Sequence, residues 1–165
     1  MNIRHLKRVR YFSGQLLSAE DFKDEQEYLL GRLRRHNRFL HGWGVAAGLT
    51  VDLSDGDTVV IQPGLAIDCA GNELVLEAEV RLPIAADCER QYAVLRYVEI
   101  GFTEIPNSDG QPEFSRTEEA ARAELQTSNP SAGHRGMGQG SPGCGQAHPI
   151  LLATISRHRT RWRVS

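Results

Sequence analysis

No stretch of this sequence stays apolar for the roughly 18–20 residues that a bilayer-spanning helix needs. A helical membrane span is therefore not expected. The three cysteines, Cys69, Cys88 and Cys144, form an odd set with no CxxC pair. That usage fits a reducing compartment better than a disulfide framework. Neither sign of charge dominates: Lys+Arg 19 against Asp+Glu 21 gives a formal net charge of -2. No whole-protein field then favours nucleic acid or an anionic membrane, and partners would be chosen by local surface. Aromatic residues are only 7% of the chain, which leaves few for a sugar-binding sheet face. GxxxxGK[ST], GxSxG, HExxH and the EF-hand pattern are all missing, so no phosphate loop, nucleophile elbow or familiar metal motif is expected, and no cofactor. The opening residues MNIRHLKRVRYF are basic but lead into no apolar segment, so no signal peptide is expected and a cytoplasmic or particle-associated location follows.

What is present suits one folded domain. The chain has 165 residues, 40% hydrophobic and 24% charged, enough for a single core with one large excursion. An N-terminal arm (1–17) precedes an α+β domain (18–165) in this reading. Ser18 followed by Glu20 and Asp21 is N-cap and first-turn chemistry, and Leu17 with Phe22 is spaced as a hydrophobic staple. The helix is expected over about 19–40. Phe22, Leu29, Leu33 and Leu40 fall on one face, widened by Tyr28, Leu30 and Phe39. Acidic residues crowd its first half and Arg32, Arg34, Arg35, Arg38 and His41 its second, matching the helix dipole. Gly42 supplies the stop, and Trp43 is placed to pack behind it.

Beyond the helix the period changes to two. Short strands are expected at 49–53, 58–62, 65–68, 73–76, near 80–82, and from 92 to about 102, within a β-rich span 46–103. The turns SDGD, PG and AGN separate them as in an antiparallel meander or small barrel. From 104 to 149 the pattern lapses into a long loop excursion, with a short helix expected at Thr117–Leu125 and a Gly-rich stretch after it. Two strands within 150–164 close the chain. In the second, Arg159, Arg161 and Arg163 alternate with Thr160, Trp162 and Val164, which reads as a strand with a basic solvent face rather than a nucleic-acid site.

Few residues invite chemistry. His36 and His41 are five apart, unlike the i, i+4 spacing that puts two ligands on one helical face. Cys144, His134 and His148 could join Cys88 around a metal, but the spacing is irregular. Asp21 and Glu25 are better read as dipole-matching carboxylates. Asn37 and His41 have a structural job open to them, hydrogen-bonding the 42–48 turn and the 12–16 arm.

The ordered set Tyr11-Phe12-Ser13-Gly14-Gln15-Leu16-Leu17, Asp21-Phe22, Glu25-Gln26, Tyr28 and His36-Asn37-Arg38-Phe39-Leu40-His41-Gly42-Trp43-Gly44-Val45, with Gly48-Leu49-Thr50-Val51 and IQPGLAIDCAGNELVL, resembles a poorly characterised family found with contractile phage-tail-like injection systems. The resemblance is dense over the first half of the chain and thin beyond. It implies a non-enzymatic structural component of a baseplate, tail or anchoring assembly, present in several copies as a homo-oligomer among sheath, tube or baseplate proteins, with no nucleic acid.

Together these readings predict an α+β fold: a long N-terminal helix packed on an antiparallel β-meander or small barrel, with a long Gly-rich loop. Tyr11, Phe12, Ser18, Asp21, Phe22, Asn37, His41, Gly42 and Trp43 are structural in this reading. Arg4, His5, Lys7, Arg8 and Arg10 in the arm, with Arg135, Met137 and Gln139 in the loop, are the expected partner contacts. The alternative is a cell-wall or saccharide hydrolase, or a carbohydrate-binding β-module, with Asp55, Asp57 and Asp68 as the available carboxylates.

Overall fold

The computed structural model describes residues 5–130 and 143–165. Its first regular element is α1 (Ala19–His36), which passes directly into a single π-turn, Asn37–His41. The start is a complete capping box: the Asp21 backbone N–H donates to Ser18 Oγ, and the Ser18 backbone N–H donates to Asp21 Oδ2 at 2.8 Å. The Ser18 N–H bond, and after it the bond from the Ser18 hydroxyl at 2.7 Å, draw the Asp21 carboxyl below its ordinary pKa. At the other end Gly42, at φ 81°, donates its N–H back to the Asn37 carbonyl at 2.9 Å. The continuous helix anticipated to about residue 40 thus ends its α geometry at His36.

Among the described residues ten strands follow: β1 (Gly44–Gly48), β2 (Val51–Ser54), β3 (Thr58–Ile61), β4 (Gly64–Ile67), β5 (Glu73–Leu76), β6 (Val80–Pro83), β7 (Arg90–Pro106), β8 (Pro112–Gln126), β9 (Ile150–His158) and β10 (Arg161–Val164). They form three antiparallel sheets, ordered β1-β4-β5, β2-β3-β6 and β10-β9-β7-β8. The 42–48 stretch, expected as a turn, is mostly strand β1. It lies so close to β4 that a side chain on Gly48 or Gly64 would strike the opposing backbone.

The three sheets close on one core of Val59, Ile61, Ala66, Leu74, Leu76, Leu95, Ile150 and Ile155. Alternation places it: Leu74 and Leu76 of β5 are buried while Glu73 and Val75 face out. In β7, Ala93 and Leu95 alternate into this core, while Val94 between them is buried outside it. Trp43 packs into the same core.

The expected loop from 104 and helix over Thr117–Leu125 are corrected by β8. That segment pairs with β7 from Tyr92↔Gln126 to Pro106↔Pro112. Its Ala and Glu residues favour a helix locally, but an unpaired β7 would leave a row of backbone donors and acceptors without partners, and ladder formation wins. The turn is built on Asn107, whose Oδ1 accepts from the N–H groups of Asp109 and Gln111, both at 2.9 Å, with Gly110 at φ 74°. Because β9 pairs with β7 only along 90–95, the rest of β7 and β8 projects as a two-stranded ribbon.

Candidate interaction surface

The helix shows what its amphipathic pattern is for by what it leaves open. No residue of α1 is buried. Phe22 is 54% exposed, Leu29 58%, Leu33 48% and, in the π-turn, Leu40 64%. The face expected to pack on the sheets is therefore left about half exposed or more by the described residues. Contact with the body is confined to the C-terminal end. There Asn37 is buried and its Nδ2 donates to the Gly71 carbonyl at 3.0 Å and to Glu73 Oε1 at 3.3 Å. Gly71, at φ 91°, has the Arg34 backbone where a Cβ would sit. The Asn37 side chain thus grips the β4–β5 turn, not the 42–48 or 12–16 segments anticipated for it.

The N-terminal arm runs back along α1. Leu6 lies over Gly31, and the Tyr11 hydroxyl donates to the Glu25 carboxylate, which pushes the phenol above its ordinary pKa. Leu6 and Val9 are half-buried, whereas His5, Lys7, Arg8 and Arg10 point to solvent. Of the expected partner contacts these four are exposed; Arg4, Arg135, Met137 and Gln139, with His134, lie outside the described residues. Phe12 and Leu16 are also open, at 69% and 93%.

Across from the helix stands the β7–β8 ribbon, carrying exposed Ile100, Phe102, Ile105 and Phe114. A cavity of ≈ 980 Å³ separates the two, with Leu29 and Leu30 on one wall, Phe114 on the other, and Lys23, Arg116 and Glu119 at its margins. A single ion pair, Arg34 Nη2 to Glu99 Oε1 at 3.6 Å, links the walls among the described residues. Behind it Tyr97 donates to Glu99 at 2.8 Å; burial, then the bonds to Glu99 and Glu119, drives that phenol far above its usual range. The result is a cleft that combines Leu29, Leu30 and Phe114 with Lys23, Gln26, Glu99, Arg116 and Glu119, a mixed lining of the kind found in protein interfaces.

The residues considered for chemistry separate clearly. A π-turn brings residues five apart onto one line, so His36 and His41 do meet, with Nε2 atoms 3.2 Å apart, despite a spacing unsuited to an α-helix. Among the described residues no group of three potential metal ligands occurs. Cys144 is not beside Cys88 but beside Cys69, a pairing that nothing in the sequence spacing signals. Asp68 is fully buried and committed to its turn, its carboxylate accepting from the N–H groups of Ala70 and Asn72 and from Asn72 Nδ2 at 2.8–2.9 Å. Asp55 and Asp57 are exposed in the β2–β3 turn, hydrogen-bonded to Ser54 and Thr58. In β10, Arg161 and Arg163 are exposed while Trp162 and Val164 lie half-buried, so the basic residues are the solvent face of a core strand.

No family model matches the chain, and no curated protein matches it. Solved structures do. A crystal structure of TssK is similar over 98% of this chain and 41% of its own, with a TM-score of 0.53 and 15% identity. A chain of the TssK-TssF-TssG baseplate subcomplex of the type VI secretion system is similar over 98% of this chain and 60% of its own, with a TM-score of 0.53 and 9% identity. The chain therefore spans between two fifths and three fifths of the length of these neighbours. At such identities the likeness is one of fold.

Proposed function

We propose that this protein is a non-enzymatic structural subunit of a contractile, phage-tail-like injection system, a baseplate, tail-associated or anchoring component present in several copies. The observation that carries the reading is the uncovered apolar face of α1, continued by the arm and by the β7–β8 ribbon across the cleft. A capped helix that buries none of its own residues, beside a body that closes a full core, is a surface shaped for another subunit. The fold likeness to TssK supports the kind of particle, since one of the neighbours comes from a baseplate subcomplex. The four solvent-facing basic groups of the arm, His5, Lys7, Arg8 and Arg10, suit an acidic patch on that neighbouring subunit.

The test is recovery of the tagged protein from its native host, with identification of what stays bound, for the wild type and for the double variant Leu29→Asp, Leu33→Asp. Sheath, tube or baseplate proteins are expected with the wild type and are lost with the variant, whose melting temperature is unchanged because neither side chain is buried in the chain. A wild type recovered without partners, or a variant that still assembles, would overturn the reading.

A further inference from the structure

The sequence stretch Gly143-Cys144-Gly145 is held against Cys69 from both sides. The Gly145 N–H donates to the Cys69 carbonyl at 3.1 Å. Gly143, at φ 62°, approaches so closely that a Cβ on it would lie 3.0 Å from both Cα and Cβ of Cys69 and 3.1 Å from its Sγ. Gly145, at φ 84°, is pressed on the other side by the Arg38 guanidinium, 2.8 Å from where its Cβ would be. A side chain on Gly143 would press on the Cys69 backbone, and the positive φ at both flanks favours glycine, so the Gly-Cys-Gly sequence suits the close seat of Cys144 beside Cys69. Cys144 is among the groups that shift the Cys69 thiol's pKa, as a residue beside it would be. Both neighbours of Cys144 thus lie against Cys69, which brings together two cysteines whose Cα atoms a disulfide would need within roughly 4.4–6.8 Å.

We propose that Cys69 and Cys144 form a redox-closed staple, a disulfide that ties the segment before β9 to the β4–β5 turn. This rests on the cysteine geometry and stands apart from the assembly reading above. The staple lies at the foot of α1, because the same two segments hold the helix end: Gly71 receives the Arg34 backbone and Gly145 the Arg38 side chain. Closing it makes that seat for the helix rigid, and opening it leaves the seat to hydrogen bonds and packing.

The chemistry is thiol–disulfide exchange with a small disulfide such as oxidised glutathione. The exposed Cys144 attacks as thiolate and expels one glutathione thiolate. Cys69 then loses its proton and attacks the Cys144 sulfur, expelling the second. Two protein thiols are oxidised, one glutathione disulfide is reduced to two thiols, and the two protons pass to the leaving thiolates. Burial pushes the Cys69 thiol up to about 11, so the second step is the slow one. Cys88 stands apart, its thiol directed at the Asp87 carboxylate.

The full-length protein, reduced and then incubated with oxidised glutathione, is digested without reductant and mapped by mass spectrometry. A peptide linking Cys69 to Cys144 is expected, with Cys88 outside the link. Thermal unfolding should shift up by roughly 5–15 °C, reversibly with reductant, because the link closes a long loop in the unfolded chain. Cys144→Ser, at an exposed site, should fold normally and abolish both effects. Cys144 trapped as a glutathione mixed disulfide while Cys69 stays reduced, a link to Cys88 instead, or a link that leaves the unfolding temperature unchanged would each overturn the proposal.

Discussion

The β-body and the α1 unit carry the same kind of amphipathic sequence and treat it oppositely. In the body every inward position finds a partner, and Ile61, Leu74, Leu95, Ile150 and Ile155 are fully buried. In α1 the apolar stripe is as regular, yet its members stay about half exposed or more. The difference lies in what stabilises each unit. The body is held by burial of side chains from three sheets. The helix is held at its ends, by the Ser18–Asp21 box and by Asn37 on Gly71, with the arm laid along it. A periodic stripe therefore says that a face suits burial, and leaves open which molecule covers it.

Breaking the body should cost most. Leu95→Ala removes a fully buried side chain where β7 crosses the core, and a loss of about 2–5 kcal/mol is expected in denaturant titration. A loss below about 1 kcal/mol would mean that the core is less closed than described. Gly71→Ala is next: the residue is at φ 91° and its Cβ would meet the Arg34 carbonyl, so about 1–3 kcal/mol is expected, with the helix end released from the β4–β5 turn. Hydrogen exchange would show it as faster exchange in α1 and the π-turn, with the sheets still protected. Ser18→Ala should have the smallest effect, about 1 kcal/mol, confined to the first turn. It also has a pH signature. Asp21 is drawn below its ordinary pKa in the folded state, so its contribution is present above the unfolded value and fades as pH falls through the folded one. Helicity of the wild type should therefore hold through mild acidification and decline only as pH falls below the ordinary carboxyl range, and the variant, without the Ser18 hydroxyl bond to Asp21, should show a weaker decline.

How much of this was legible varies with the range of the interactions involved. The cap at Ser18 could be read because its partner is three residues away. Strands β3 and β5 could be read from alternation between turn residues, and both fall at the expected positions within a residue. The β8 strand could not, because Thr117–Leu125 has helix-favouring composition and its partner β7 is reached only through the Asn107 turn. Strand β1 was hidden by its glycines, which mark turns by default and here permit two backbones to approach. The meeting of His36 and His41 needed a π-turn that no spacing rule foresees. Of the candidate contact residues, four in the arm are exposed, while the cleft between α1 and the β7–β8 ribbon was missed, since its far wall was read as loop and helix.

By itself the sequence determined the elements whose stability is local: the capped start of α1, the polar turns, the alternating strands, and a basic arm with apolar residues between its charges. These depend on hydrogen bonds and rotamer preferences within a few residues, which composition and spacing express directly. Tertiary structure alone decided that β8 is a strand, that the end of α1 is seated on the body by Asn37 at Gly71 and by the Arg34–Glu99 pair, and that Cys69 and Cys144 meet across the fold. Those outcomes turn on pairings between residues dozens of positions apart, where the competing local preference is worth a fraction of a kcal/mol per residue and a shared ladder or a buried contact outweighs it.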